Sequence, residues 1–163
     1  MRLRAMRVLA VLAPWFALIG SAYADTTVRV VETWPIGSDV TLAGNQKFYL
    51  RLAYTTDVPV SIWARPYFHG KQMFAGSNPS GKYNGSGEAL GWFFLEQRGD
   101  EVDEIRIVAG DAGSGAPVVA TYRVHVLRGS DHVVVEAEPG WLVDLRASSQ
   151  AAFEKAYRAQ QKE

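Results

Sequence analysis

The stretch GSNPSGKY, residues 76–83, comes within one residue of the phosphate-binding spacing G-x-x-x-x-G-K-[ST]. Gly76, Gly81 and Lys82 fit, but Tyr83 stands where a small hydroxyl would hold Mg²⁺. That chemistry also needs a helix directly after the loop, so that backbone N–H groups converge on the phosphates. Asn84-Gly85-Ser86-Gly87 follows instead, and such a run does not start a helix. The stretch therefore reads as part of an irregular connection over 69–88, dense in Gly, Ser, Asn and Pro. A connection of about 20 residues is long, and long loops often carry function.

The other reactive side chains are few. There are three histidines, His69, His125 and His132, and no H-x-x-x-H pair. A hairpin would bring His125 and His132 together, with His69 as a third ligand in a three-histidine metal site. Against this stands the plainer reading of two surface histidines and one at a loop edge. Asp100, Glu101, Asp103 and Glu104 cluster without calcium-loop spacing and read as a solvated turn entering a strand. Arg98-Gly99-Asp100 spells an adhesion tripeptide, which at three letters is a chance match. There is no G-x-S-x-G elbow and no cysteine, so acyl transfer, thiolate chemistry, disulfides and Cys-ligated zinc have no support. We expect no cofactor, no metal and no catalytic residues.

One constellation carries more. Tyr49 and Arg51 alternate with apolar residues in 46–55, as do Trp63, Arg65 and Tyr67 in 60–68. If the two segments pair, these five residues line one face able to hold a partner chain, a sugar ring or a cation. The competing reading makes Trp63 the core tryptophan of a sandwich with Arg65 over it, or makes the aromatics a cross-strand ladder.

The elements that must position these groups read as strands. Segments 27–34, 40–43, 46–55, 60–68, 89–96, 101–109 and 117–127 are β-like, with a last short strand expected over 132–136. Gly44-Asn45 predicts a two-residue hairpin, and Asp57-Val58-Pro59 predicts a turn. Pro139-Gly140 ends the β pattern. Helix is expected beyond Trp141, firmly from Ser149, with Ser148 as N-cap and Glu154–Arg158 as an i,i+4 pair. Leu142, Leu145, Ala152, Phe153, Ala156 and Tyr157 can share its apolar face. The fold class expected is all-β, an immunoglobulin-like sandwich of about seven strands with a short C-terminal α-helix.

The ends set the compartment. Arg2, Arg4 and Arg7 precede an apolar run over 8–20, and Ala22-Tyr23-Ala24 is a cleavage signal. Residues 1–24 are read as a secretory signal peptide, 25–138 as the β-sandwich domain and 139–163 as a helical tail. The mature chain of 139 residues would hold 14 Lys and Arg against 17 Asp and Glu, a balance of −3. No basic field exists to hold nucleic acid, and no later stretch reaches the roughly 18 apolar residues of a membrane span. The expected protein is an exported, non-enzymatic binding or accessory module of the periplasm, with the extracellular space as the alternative. Its ligand is expected to be an envelope protein. The alternative is a carbohydrate-binding module resting on Trp63, Tyr67, Tyr49 and Trp92, and a third reading is a hydrolase using His69 or the acids at 100–104.

Overall fold

The computed structural model describes residues 26–73, 82–111, 115–130 and 136–161. The signal-peptide segment, residues 76–81 of the glycine-rich stretch, and the strand expected over 132–136 apart from Glu136 lie outside these residues. So do His132 and the side chains of Phe153, Ala156 and Tyr157.

The described chain is mostly β with one C-terminal helix. Its strands are β1 (Thr27–Trp34), β2 (Asp39–Leu42), β3 (Lys47–Phe68), β4 (Lys71–Gln72), β5 (Tyr83–Phe94), β6 (Glu101–Gly110) and β7 (Val118–Arg128), followed by α1 (Gly140–Gln160). They form a curled mixed sheet, a half-barrel with strand order β1-β3-β6-β7-β2, to which β4 and β5 add on β3.

β3 explains the curl. The two segments read as separate strands, 46–55 and 60–68, are one strand of 22 residues. Its first half lies between β1 and β5, antiparallel to both, and its second half pairs with β6 and β4. Asp57-Val58-Pro59 bends the strand without ending it, with a register shift against β5 between Thr56 and Val60. The bend is tied by a buried hydroxyl. Thr56 Oγ1 donates to the Val58 carbonyl (2.8 Å) and meets Thr26 Oγ1 at 2.9 Å. The period of two survives the bend: Phe48, Leu50, Leu52, Val60, Ile62 and Ala64 are all buried on the concave side. The sheet thus has two wings, and every odd residue of β3 points to the convex side.

One core fills the concavity. Phe48 and Phe93 stack at 5.4 Å from the first wing, against Ile105, Ile107, Val124 and Val126 of the second. At Gly91 the wings come so close that a Cβ would meet Leu52 Cδ1 at 3.1 Å and Ala64 Cβ at 3.4 Å.

Two local expectations are corrected. Gly44-Asn45 makes a turn, with Gln46 N donating to Ala43 O (3.2 Å) and Asn45 at φ 61°, but it joins no hairpin. β2 runs instead parallel to β7, pairing Asp39–Leu42 with His125–Arg128. Burial decides this, because Val40 and Leu42 enter the core beside Val126. Likewise Ser148 does not cap the helix. α1 begins at Gly140, where Leu142 N donates to the Pro139 carbonyl (3.0 Å), and Ser148 Oγ donates back to Asp144 O inside the helix. Fully buried Leu142, with half-buried Trp141 and Leu145, pins this first turn to the convex side of the first wing.

Candidate binding faces

The bent strand distributes the five residues singled out in the sequence over two places. Tyr49 and Arg51 stand on the convex side of the first wing, while Trp63, Arg65 and Tyr67 stand on that of the second. They do not form one cross-strand face, because the segments that carry them are continuous rather than paired.

On the first wing, Tyr49 lies in register between Trp34 of β1 and Trp92 of β5. Its ring is 6.0 Å from that of Trp34. Two cations sit over this row: Lys47 Nζ is 4.0 Å from the Trp92 ring, and Arg146 Cζ of α1 is 5.2 Å from Tyr49. Arg146 also donates to Glu138 Oε1 (2.9 Å), and this bond raises its guanidinium pKa against the effect of burial, with Tyr49 adding to the rise. Burial under this cluster pushes the Tyr49 hydroxyl above its usual value of 10.0, partly offset by Arg146. Trp34 Nε1 donates to the Ala137 carbonyl (3.2 Å) and holds the chain entering α1. Arg51 is taken up by carboxylates, bonded to Glu88 at 2.8 Å and facing Glu32 at 3.6 Å, an ion network that crosses all three strands.

The second wing differs. Trp63, Arg65 and Tyr67 face Val108, Arg106 and Glu104 of β6, and the rows continue to Val118, Thr121 and Arg123 of β7. Trp63 lies outside the core and is half-buried on the convex side, as its odd position on β3 requires. Two guanidinium groups, Arg65 and Arg106, stand directly opposite one another, an arrangement that like charges disfavour. Arg106 answers by turning away: its Cζ lies 3.9 Å over the Tyr67 ring, and its Nε donates to Glu104 Oε1 (2.5 Å). The Glu104 bond raises the Arg106 pKa further. Arg123 reaches the same carboxylate only at 3.9 Å and keeps 85% of its side chain exposed. Only α1 among the described elements lies outside the sheet, and it packs on the other wing.

The remaining candidates are accounted for locally. Lys82 Nζ lies 2.6 Å from Asp111 Oδ1. The acids at 100–104 each hold a partner: Asp100 accepts from Gln97 N, Glu101 meets His125 Nε2 at 3.4 Å, and Asp103 accepts from His69 N. The Asp100 bond also closes the turn that carries Arg98-Gly99-Asp100. His125 additionally meets Asp39 Oδ1 at 2.9 Å through Nδ1, and this bond, followed by Glu101, raises its pKa from 6.5 against the effect of burial. Its two nitrogens face carboxylates on opposite sides of the ring. Among the described residues no three His, Asp or Glu side chains are placed to hold a metal ion.

Sequence reasoning missed the partners of these faces. Glu104, Arg106 and Arg123 alternate in period two and were legible as outward residues, but the acidic run masked Glu104. Arg146, Glu138 and Trp141 lie in a segment whose contact with Tyr49 has no local signature. Set against family models, curated proteins and solved structures, the chain matches none of them.

Proposed function

We propose that the protein is a non-enzymatic binding or accessory module of the bacterial cell envelope, its β-scaffold immunoglobulin-like in strand content. The convex second wing binds an acidic segment of a protein partner. One observation carries this reading. Arg106 and Arg123 converge on the Glu104 carboxylate beside Arg65, flanked by half-exposed Trp63 and Tyr67, on a side that no described element covers. A cationic patch on a chain expected to be net negative concentrates its attraction there, and aromatic–arginine surfaces are typical of interface centres.

The glycan reading of this same face has weaker support. Sugar stacking needs an open ring face, and the Tyr67 face is occupied by Arg106 at 3.9 Å.

The test compares wild type with Arg65→Glu/Arg123→Glu and with Trp63→Ala/Tyr67→Ala, each shown folded by circular dichroism. Tagged protein is used for capture from crosslinked envelopes, and captured partners are identified. Partners with acidic surfaces, held by wild type, weakened by about tenfold or more on charge reversal and released by salt, are expected. Equal capture by wild type and the charge-reversed protein refutes the proposal.

A further inference from the structure

Beside the arginines, the convex second wing has an apolar end. Trp63 of β3, Val108 of β6 and Val118 of β7 are in register and form one cross-strand row. Val108 points to the convex side, between Ile107 and Ala109 of the core, yet it is only 2% exposed. Its cover therefore comes from that side, where Trp63 and Val118 flank it. Val118 itself is 51% exposed and Trp63 is half-buried, so the row ends in open apolar surface. A lone exposed valine would mean little. This one adjoins a tryptophan and a cationic patch.

Two further rows follow along the strands. Arg65, Arg106 and Thr121 form the first, and Tyr67, Glu104 and Arg123 the second. Together they set three guanidinium groups against the one carboxylate of Glu104, while the nearby acids Asp103 and Glu101 are engaged by His69 and His125. Outward residues of a strand are two positions apart, so successive rows lie about 6.6 Å from each other. An extended segment laid along the strands presents residues i, i+2 and i+4 on one side at this same spacing. The face is convex, so a thin extended chain can follow it where a rounded helix would touch along a single line. Resting on the acidic-partner reading above, we propose that this face takes an extended segment in which an apolar residue lies two positions from an acidic one. The apolar side chain seats on Trp63 and Val118, and the acids meet Arg65, Arg106 and Arg123. The apolar seat decides which acidic segment is held, since charge alone would accept any.

The experiment titrates isotope-labelled mature protein with three capped peptides of equal charge, followed by backbone amide NMR. The first carries Leu-Ser-Glu-Ser-Glu. The second, Ser-Ser-Glu-Ser-Glu, lacks the apolar residue. The third, Leu-Glu-Ser-Glu-Ser, puts the acids on the opposite side of the extended chain from the leucine. Saturable shifts at Trp63, Arg106, Val118 and Arg123 are expected with the first, bound about fivefold tighter than the other two. Raising the salt should weaken all three alike and leave that ratio in place. Val118→Thr keeps the branched shape and should reduce the preference to about twofold or less, with the affinity for the second peptide unchanged. Equal affinity for the three peptides overturns the inference and leaves the arginine face standing. An equal preference in wild type and Val118→Thr overturns it as well. Absence of shifts at Arg106 and Arg123 with every peptide removes the acidic-partner reading along with it.

Discussion

Leu142→Ala should detach α1 and leave the curled sheet standing. Leu142 is fully buried between Trp34 and Leu90, which are 3% and 5% exposed and held by strands, so the cavity cannot close by collapse. A truncation at such a site costs about 3–4 kcal/mol, in the upper half of the range for buried leucine. The rest of the docking is weaker. Trp141 and Leu145 are only half-buried and contribute roughly 1 kcal/mol each. The Arg146–Glu138 pair is partly exposed and adds under about 1 kcal/mol. Against these, Trp141 Nε1 and Arg146 Nε are buried without a partner among the described residues, each costing about 1–3 kcal/mol. The single leucine is therefore comparable to the whole net attachment, and a helix draws most of its stability from the packing of its apolar face rather than from propensity. The assay is hydrogen exchange read by mass spectrometry, with tryptophan emission alongside. Segment 140–150 should lose protection and emission should shift to the red as Trp34, Trp92 and Trp141 meet water. Strands β3 and β6 should keep their protection, because the core in the concavity shares no residue with the cluster under the helix. Equal loss of protection in α1 and β3 would refute the reasoning by making helix and sheet one cooperative unit.

Gly91→Ala should destabilise the sheet by about 1–3 kcal/mol in urea unfolding, because Leu52 and Ala64 are both fully buried and cannot yield to the new methyl. Thr56→Val keeps the shape of the bend but strips Thr26 and Val58 of a partner, and a loss of about 1–3 kcal/mol is expected in the same assay. His125 has a folded pKa above its ordinary 6.5, so its bridge from Asp39 to Glu101 contributes fully below that value. The contribution disappears as pH rises through the raised folded value. The melting temperature of wild type relative to His125→Gln should therefore fall across that rise, and parallel profiles would show the bridge to be inert.

Much of the strand pattern was legible because burial imposes a period of two. Phe48, Leu50, Leu52, Ile62 and Ala64 announced the inner side of β3, and the outward direction of Tyr49, Arg51, Trp63, Arg65 and Tyr67 follows from the same alternation. The continuity of β3 was hidden, since Asp57-Val58-Pro59 has turn chemistry and only the Thr56 hydroxyl, meeting a residue 30 positions away, converts it into a bend. β2 was drawn to the wrong neighbour for a related reason. Gly44-Asn45 favours a local hairpin, while the parallel partner lies 86 residues on from Asp39. The start of α1 was set by the burial of Leu142 against aromatics of other strands, which outweighed the capping signal at Ser148. At the candidate faces, residue types were legible but their partners were not, because a cation over a ring is a contact between distant segments.

The placement of β2 also dictates an order of events. A chain emerging N-terminus first can assemble β1, β3 and β5 once residue 94 is available. β2 precedes all but the first of these, yet its partner among the described strands is β7, the last of them in the chain. Until β7 arrives, Val40 and Leu42 have no neighbouring strand to hold them in the core. Closure of the fold is thus a late, long-range step, of the kind that slows folding and leaves apolar edges open to other chains while it is pending.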